Sequence, residues 1–343
     1  MEGWCNIIYL PSMSLVWRQV DMPDPPLISV IIPNWNGAHH LPICLDSLRR
    51  QTYPHFEVIV VDNNSDDDSL ALLEGEYEEV RVIPLNENRG YAGGVNVGIR
   101  AAQGEIIVVL NNDTEADHRL LEELWAALER HPEAGAATSK MLLFDQRQVI
   151  NSAGDFYTLD GVPGNRGVWQ RDEGQFDREE KVFSAHGGAS AFRRSMLMDL
   201  ASKGQAQVFD EDFFAYCEDV DLGWRAQLAG YQCLYVPTAA VYHRLSATGG
   251  GKIASYYTGR NFIYVLAKDY PASLFRKHWW RIILAQVKIS WEALKAWRGE
   301  AARARLRGQL AGLWNLPRML RKRRAIQESR AVSDQYLESI LRN

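Results

Sequence analysis

The sequence has 343 residues, of which 46% are hydrophobic and 24% are charged, and its net charge at pH 7 is −5. This composition is typical of a folded protein with a large core and excludes an intrinsically disordered chain. The sequence has no run of about 18 apolar residues, which argues against a membrane-spanning helix. Residues 1–20 also lack the basic start and cleavage site of a secretion signal.

Strands alternate with helices through the first half of the chain. Continuous apolar runs predict strands that are buried on both faces, and apolar residues three and four positions apart predict helices. The predicted strands span residues 27–33, 56–61, 80–84 and 105–110, and the predicted helices span residues 41–51, 69–79, 91–103 and 118–131. This alternation predicts an α/β fold with a doubly wound, mostly parallel sheet.

The second half of the chain is less regular and ends in a basic tail. Residues 141–191 are Gly-rich and predict short strands and loops, and residues 256–266 predict a helix. Residues 273–343 contain 16 Lys and Arg against 5 Asp and Glu, whereas residues 1–272 contain 22 against 38. We therefore expect a C-terminal helical extension that carries most of the positive charge.

This tail is amphipathic. Its apolar face is predicted to contain Trp280, Ile283, Leu284, Val287, Trp291 and Leu294. The face either covers the preceding domain as ordinary core or lies on an anionic membrane surface, and the tryptophans suit a membrane better than nucleic acid. A basic cluster would add attraction to such a surface; it comprises Arg318, Arg321, Lys322, Arg323 and Arg324.

Polar side chains follow three of the predicted strands, at Asn34, Asp62 and Asn111 to Asp113. In open α/β sheets the carboxyl ends of the strands form the ligand-binding edge, so these side chains are expected to converge on one cleft. Asn and Asp supply the hard oxygen ligands that suit Mg²⁺ or Mn²⁺. The other interpretation is a set of turns and helix caps, for which the same residue types are suited.

A Gly-rich segment precedes the third predicted helix, with Arg89 followed by Gly90, Gly93 and Gly94. Glycines allow a close approach of the backbone, and the positive end of a helix favours a phosphate group. This segment is therefore a candidate diphosphate site.

The order of these motifs resembles that of the inverting family-2 glycosyltransferases of the GT-A fold, especially the rhamnosyltransferase-like branch. The resemblance spans about residues 26–271 and rests on residues 30–36 (VIIPNWN), 60–66 (VVDNNSD), 86–96 (NENRGYAGGVN), 110–113 (LNND) and 214–225 (FAYCEDVDLGWR). It implies an extension of residues 1–25 without an assigned role and a GT-A domain of residues 26–272. Within that domain, residues 26–140 would bind the nucleotide sugar and residues 141–272 the acceptor.

The resemblance also implies roles for individual residues. Asp219, or else Glu218, would be the catalytic base, because an inverting transfer needs a carboxylate to deprotonate the acceptor hydroxyl. Asp113 and His243 would bind Mg²⁺ or Mn²⁺, and Asp62 would accept a hydrogen bond from a pyrimidine ring. Lys252 and Arg260 would close over the diphosphate with a mobile loop of residues 246–252. The nucleotide-sugar site would comprise Pro33, Asn34, Asn36, Asp62, Asn64, Arg89, Gly90, Gly93, Asn96, Asn111, Asn112, Lys252 and Arg260.

The function implied is a metal-dependent transfer of a sugar from a nucleotide donor to a hydroxyl of a polysaccharide or lipid-linked glycan, with dTDP-rhamnose as the specific expectation. The alternatives are a non-catalytic nucleotide-sugar-binding protein and a nucleotidyltransferase, although the first loop lacks the basic residue that a nucleotidyltransferase requires. A dehydrogenase is excluded because no G-x-G-x-x-G follows the first strand. The cysteines form no C-x-x-C pair, which favours a cytoplasmic location. Attachment to the inner face of the plasma membrane is the expectation that accompanies a membrane-binding tail, and the oligomeric state stays open.

Overall fold

The computed structural model describes residues 25–203, 207–245 and 251–343. Its first half is a parallel α/β unit, as the alternation of strands and helices predicts. The elements are β1 (Ile28–Asn34), α1 (Leu41–Arg49), β2 (Phe56–Asp62), α2 (Ser69–Glu76), β3 (Arg81–Pro84), α3 (Gly90–Ala101) and β4 (Ile106–Leu110). The strands lie side by side in the order β3, β2, β1, β4 and are all parallel. Each predicted strand and helix of this unit is confirmed, with ends that differ by a few residues.

The second half extends the same sheet with mixed strand directions. Its elements are β5 (Thr114–Ala116), α4 (Leu120–Arg130), β6 (Ala134–Leu143), β7 (Ile150–Ser152), β8 (Asp155–Tyr157), β9 (Pro163–Asn165), β10 (Glu180–Val182), β11 (Ala189–Arg193), α5 (Arg194–Ser202), α6 (Glu218–Ala229) and β12 (Gln232–His243). Strand β11 is antiparallel to both β4 and β6, and β6 is parallel to β12. At the end of β12 His243 pairs with Thr114, which brings it beside Asp113.

Strands β1, β2 and β4 are mostly apolar because helices cover both faces of the sheet. Alternate side chains of β1, Val30 and Ile32, pack toward α1 and α4, while Ile31 between them packs toward α3. The fit on the α3 side is close, since a Cβ on Gly98 would lie 2.3 Å from a methyl group of Ile31. This packing fixes α3, and therefore its Gly-rich start, against the strand ends.

Five helices complete the chain: α7 (Gly251–Lys268), α8 (Ala272–Lys295), α9 (Glu300–Trp314), α10 (Leu316–Glu328) and α11 (Asp334–Ile340). Helices α10 and α11 share a hydrophobic core with α6 and α7, in which Met319 and Leu337 pack with the buried Trp224. Helix α9 crosses α7 at backbone contact, because a Cβ on Gly308 would lie 2.0 Å from the carbonyl oxygen of Tyr256. The tail is therefore packed onto the sheet domain rather than separate from it.

The apolar face of α8 does not cover the domain. The opposite face of the helix is buried, whereas Trp280 and Trp291 are 57% and 56% exposed and Val287 is 58% exposed. The interpretation of this face as ordinary core is therefore wrong within one copy of the chain. Among the helices of the described residues, none has the length and apolarity to cross a bilayer.

Part of the predicted basic cluster of α10 binds the body of the protein. Arg318 pairs with Asp212, and Lys322 pairs with Asp210 and Asp212. Arg323 donates to the carbonyl oxygen of Ala267. Arg321 and Arg324 stay exposed and contact only their own helix.

Candidate functional site

The ends of β1, β2 and β4 are joined by a chain of side-chain hydrogen bonds. Asn34 donates to Asp62 Oδ1 at 2.9 Å, and Asn112 donates to Asn34 Oδ1 at 2.7 Å. All three side chains belong to the predicted nucleotide-sugar site. The convergence expected from the sequence is therefore present at this edge of the sheet.

The loop after β2 is ordered by Asp62. Ser65 donates to this carboxylate from its hydroxyl at 2.6 Å and from its backbone N–H at 2.9 Å. Asn36 in turn accepts a bond from the backbone of Asp66, and both Asn36 and Asn64 adopt left-handed backbone conformations, with φ of 53° and 61°. Asp62 is fully buried beneath these contacts.

The start of α3 packs against the segment that precedes α6. Gly90 has a φ of +70°, and a Cβ there would lie 2.4 Å from the carbonyl oxygen of Phe214, so only glycine fits. Arg89 forms an ion pair with Glu211 at 2.7 Å. Gly93 lies one turn into the helix, close to the same ion pair. The candidate diphosphate site thus contains a cation that an acidic side chain already neutralises.

Asn96 was predicted to contact the nucleotide sugar, and the structure corrects this. Its amide donates to the carbonyl oxygen of Phe209 at 2.8 Å and accepts from the backbone N–H of the same residue at 2.9 Å. The side chain is only 2% exposed. Asn96 therefore holds the segment before α6 in place, because both of its polar atoms are used there.

Asp113 and His243 lie next to each other, with His243 Nε2 3.2 Å from Asp113 Oδ1. On its other side His243 Nδ1 lies 2.9 Å from Asn151 Oδ1, and this contact fixes the orientation of the imidazole ring beside the carboxylate.

This donor set fits a divalent metal ion that arrives with further ligands. Imidazole and carboxylate both bind Mn²⁺, and an outer hydrogen bond such as that from His243 to Asn151 orients the ring. Within the described residues no cluster of three or more His, Cys, Asp or Glu side chains has metal-binding geometry. Asp113 and His243 would therefore hold a metal only together with other ligands, such as diphosphate oxygens.

The predicted catalytic pair occupies the first turn of α6. Asp219 Oδ2 accepts a hydrogen bond from the backbone N–H of Gly187 at 2.9 Å. The neighbouring Gly188 carbonyl accepts from the backbone N–H of Asn111, also at 2.9 Å. One short loop, residues 186–188, therefore connects the acidic pair to the Asn111–Asp113 motif, and both lie in one cleft.

Glu218 and Asp219 have different environments. Glu218 is 5% exposed, and its Oε2 has no hydrogen-bond partner within the described part of the chain. Burial and the charge of Asp219 raise the pKa of Glu218 well above its usual value. Asp219 is partly exposed and accepts a backbone N–H. Asp219 is therefore the more accessible residue of the pair.

The carboxyl groups of the cleft also act on their neighbours. Burial, followed by the charges of Glu218, Asp219 and Asp113, raises the pKa of Tyr91 well above its usual value. Tyr91 donates its hydroxyl hydrogen to the carbonyl oxygen of Gly187. The two acidic residues of the predicted catalytic pair and the predicted metal ligand Asp113 therefore all act on the same tyrosine.

Lys252 and Arg260, which were expected to close over the diphosphate, make contacts with other parts of the protein. Arg260 lies on the third turn of α7 and donates to the backbone carbonyls of Asp212 and Phe213, both at 2.7 Å. This fixed contact corrects the prediction that Arg260 closes over a diphosphate. Lys252 lies in the first turn of α7, beside Arg303 and Arg307 of α9. Residues 246–250 of the predicted loop lie outside the described residues.

Several residues of the cleft were not found from the sequence. They are Tyr91, Asn151, the loop of residues 186–188, and Glu211. Only the loop has a usable pattern, because a Gly-Gly pair before an apolar strand indicates close backbone approach. The other three are brought to the cleft by contacts with distant parts of the chain.

A parallel α/β unit, a mixed extension of the same sheet and a helical C-terminal region form the GT-A glycosyltransferase architecture. The family model for glycosyl transferase family 2 matches residues 29–201. The chain belongs to this family, and its fold and relatives are those of a family-2 glycosyltransferase.

Two curated relatives are similar to about two thirds or more of the chain. The chain is 29% identical over 279 residues to the N-acetylglucosaminyl-diphospho-decaprenol L-rhamnosyltransferase of Mycobacterium tuberculosis, which covers 74% of this chain and 87% of the relative. It is 31% identical over 235 residues to the O-antigen biosynthesis protein RfbC of Myxococcus xanthus, which covers 65% of this chain and 18% of RfbC.

Solved structures support the same fold. GalNAc-T7 in complex with UDP, GalNAc and Mn²⁺ aligns with a TM-score of 0.57 at 16% identity, over 71% of this chain and 48% of that one. The mannosyltransferase PcManGT from Pyrobaculum calidifontis, in complex with GDP-Man and Mn²⁺, aligns with a TM-score of 0.50 at 19% identity, over 90% and 88%. At these identities the similarity establishes the fold alone.

The raised pKa of Glu218 predicts a specific pH dependence of stability. Glu218 keeps its proton in the folded protein above its usual pKa of 4.5, whereas it loses that proton when the chain unfolds. Folding is then opposed as pH rises above that value. We expect the melting temperature of Glu218→Gln, relative to the metal-free wild type, to increase from pH 5 to pH 8.

Circular dichroism melts at several pH values measure this difference. The matched control is Glu87→Gln, at an exposed carboxylate with no ion pair among the described residues. The difference between the melting temperatures of this variant and the wild type should not change with pH. A Glu218→Gln curve parallel to that of the wild type would contradict the assignment of a protonated, buried Glu218.

Proposed function

We propose that this protein is a metal-dependent inverting glycosyltransferase that moves a sugar from a nucleoside diphosphate to an acceptor hydroxyl. The observation that supports this most directly is the loop of residues 186–188, which is hydrogen-bonded both to Asn111 and to Asp219. Because of this loop the candidate donor side, at Asn111 to Asp113, and the candidate base lie in one cleft. A transfer reaction requires that proximity.

On the donor side the nucleotide would bind at the ends of β1, β2 and β4. Pro33, Asn34, Asn36 and Asn64 border this edge, and Asp62 lies beneath it. Three of the four lone pairs of the Asp62 carboxylate already accept hydrogen bonds. Because Asp62 is fully buried, a nucleobase N–H could reach the remaining lone pair on Oδ2 only after the covering loop moves.

The diphosphate would lie between the start of α3 and the Asp113–His243 pair. A divalent metal held by this pair would supply positive charge to the leaving diphosphate. Arg89 would leave Glu211, or its guanidinium would bind Glu211 and the diphosphate at the same time. These residues bind and orient the donor.

On the acceptor side Asp219 would remove the proton from the attacking hydroxyl. The oxygen forms a bond to the anomeric carbon as the bond from that carbon to the diphosphate breaks on the opposite face. The proton ends on Asp219 and the electron pair of the broken bond leaves with the diphosphate, so the configuration at the anomeric carbon inverts. Gly187 N–H, which donates to Asp219 Oδ2, orients the carboxylate.

The donor we propose is dTDP-rhamnose and the acceptor a lipid-linked or polymeric glycan. The support is the similarity to the mycobacterial relative, whose name specifies L-rhamnosyl transfer to a diphospho-decaprenol-linked sugar. At 29% identity this similarity makes rhamnose the first sugar to test rather than an established substrate.

We predict that the protein consumes one nucleotide sugar of a panel in the presence of Mn²⁺ or Mg²⁺ and releases its nucleoside diphosphate. Asp219→Asn should retain donor affinity but lose about 10²–10⁴-fold in turnover, because an amide cannot accept the proton. Donor titration by calorimetry and a nucleoside-diphosphate release assay measure the two effects. A large loss in Glu218→Gln with little change in Asp219→Asn would instead assign the base to Glu218.

A second prediction concerns the metal. Asp113→Ala should nearly abolish turnover and remove the effect of Mn²⁺ on nucleoside-diphosphate affinity, because one of the two protein ligands is lost. Calorimetric titrations with and without Mn²⁺ measure this effect. The matched control is Asp117→Ala, four residues away and outside the cleft. Unchanged metal dependence in Asp113→Ala would refute the metal site.

We further propose that the exposed face of α8 lies on an anionic membrane surface. The face combines tryptophans and aliphatic side chains with Arg276 and Lys288, which are exposed and form no ion pair within the described residues. Such a combination suits the headgroup region of a bilayer, and each cation adds about 1 kcal/mol near an anionic surface. A lipid-linked acceptor would make this location useful.

The protein should therefore sediment with anionic liposomes at low salt and less so at high salt. The triple variant Trp280→Ser, Val287→Ser, Trp291→Ser should lose this association, whereas Trp169→Ser, at an exposed tryptophan outside the tail, should retain it. Sedimentation of the triple variant like the wild type would contradict the proposal. So would concentration-dependent dimerisation through α8 in analytical ultracentrifugation without liposome binding.

A further inference from the structure

The turn that leads into the catalytic pair has an unusual backbone. Phe214, Tyr216 and Cys217 all have positive φ, at 64°, 68° and 65°. None of them is glycine, so each residue adopts a conformation that is unfavourable for its side chain. Glu218 and Asp219 follow immediately as the first residues of α6. The direction in which the pair points therefore depends on whatever keeps this turn in its strained form.

Asn261, in the middle of α7, binds the turn through its side chain. Its amide nitrogen lies 3.1, 2.9 and 2.6 Å from the carbonyl oxygens of Phe213, Ala215 and Tyr216. Asn261 is fully buried. Three carbonyl oxygens thus converge on one –NH₂ group, which has two hydrogens to donate, at a position that water does not reach.

The orientation of this amide is fixed as well. Arg260 donates from Nε to Asn261 Oδ1 at 2.9 Å, so the oxygen faces the guanidinium and the nitrogen faces the turn. On the other side of the turn, Phe214 O accepts from the backbone N–H of Ala92. The turn is therefore held between α3, which borders the candidate donor site, and α7.

We propose that Asn261 is a positioning residue for the acidic pair: its amide holds the 213–217 backbone in the strained form that directs Glu218 and Asp219 into the cleft. This inference rests on the proposed catalytic function of that pair. Without the amide, three carbonyl dipoles would face one another in a buried space, and the turn would relax toward ordinary backbone angles. Asn261 itself touches none of the groups that the mechanism uses.

Asn261→Ala tests this role, with Asn315→Ala as the matched control. Asn315 is also an asparagine of the C-terminal helices whose amide donates to a backbone carbonyl, that of Ala311, but it lies at the junction of α9 and α10. Three quantities are measured for each variant: donor affinity by calorimetry, turnover, and hydrogen–deuterium exchange of the peptide that contains residues 211–219. The isosteric Asn261→Asp variant serves as a second test, because it replaces the donating group with an oxygen.

In Asn261→Ala we expect faster exchange in residues 211–219 and a loss of turnover of about 10²-fold, since a displacement of about 1 Å at a reacting group has effects of that size. Donor affinity should be unchanged, because the edge formed by β1, β2 and β4 does not contact Asn261. Asn261→Asp should show the same pattern with at least as large a loss, and Asn315→Ala should behave like the wild type.

Two results would overturn the proposal. One is exchange and turnover in Asn261→Ala like those of the wild type. The other is a parallel loss of donor affinity, turnover and melting temperature, which would indicate a general structural role.

Failure of the proposed catalytic function would give a third result that differs from these two. If the wild type turns over no nucleotide sugar but exchange of residues 211–219 still increases in Asn261→Ala and not in Asn315→Ala, the role of Asn261 in holding the turn is supported and the catalytic assignment of the pair is not.

Discussion

The concentration of carboxyl groups in one cleft is the constraint on which the rest of the site depends. Asp155, the first residue of β8, and Glu218 are both buried and are both affected by the charge of Asp219, and none of the three carboxyl groups forms an ion pair with a lysine or arginine of the described residues. Burial and the neighbouring charge of Asp219 raise the pKa of both Asp155 and Glu218 well above their usual values. The cleft thus reduces its charge by retaining protons, and a cationic ligand would reduce it further. Such an arrangement costs stability and is typical of functional sites.

The C-terminal helices are part of the structure that maintains this cleft. Lys268 of α7 is fully buried and pairs with Asp210 and Asp221 on either side of the catalytic turn. Lys322 of α10 pairs with the same Asp210. Arg318 and Lys322, which belong to the basic segment of residues 273–343, therefore pair with acidic residues of the catalytic half. The opposite charges of the two parts of the chain are explained in part by this contact between them.

The sequence predicts the parallel half of the fold well because its signals are local. Strands β1, β2 and β4 are mostly apolar, and a polar residue ends or directly follows each of them at the edge of the sheet. Strand β6 was missed because its sequence, Ala134–Leu143, mixes alanine with Thr, Ser and Lys and has no apolar run or alternation. It is a central strand only because β11 and β12 pair with it.

In the candidate site, too, local sequence signals could be predicted and contacts between distant segments could not. The positions of Asp62, Asp113, Glu218 and Asp219 follow from motifs that lie within a few residues of a strand or helix end. The contacts of Asn96, Arg260 and Asn261 could not be predicted, because each binds a segment that is 45 or more residues away in the chain. Helical periodicity likewise identified the apolar face of α8 but could not determine whether another part of the chain covers it.

The most direct test of this account is a crystal structure with Mn²⁺ and the nucleoside diphosphate that the protein releases, measured at a wavelength where manganese scatters anomalously. The account predicts one anomalous peak between Asp113 and His243 Nε2, bound also by diphosphate oxygens, with the nucleobase at the strand ends beside Asn34 and Asp62. A peak at another position, or a nucleotide bound away from the ends of β1, β2 and β4, would contradict it.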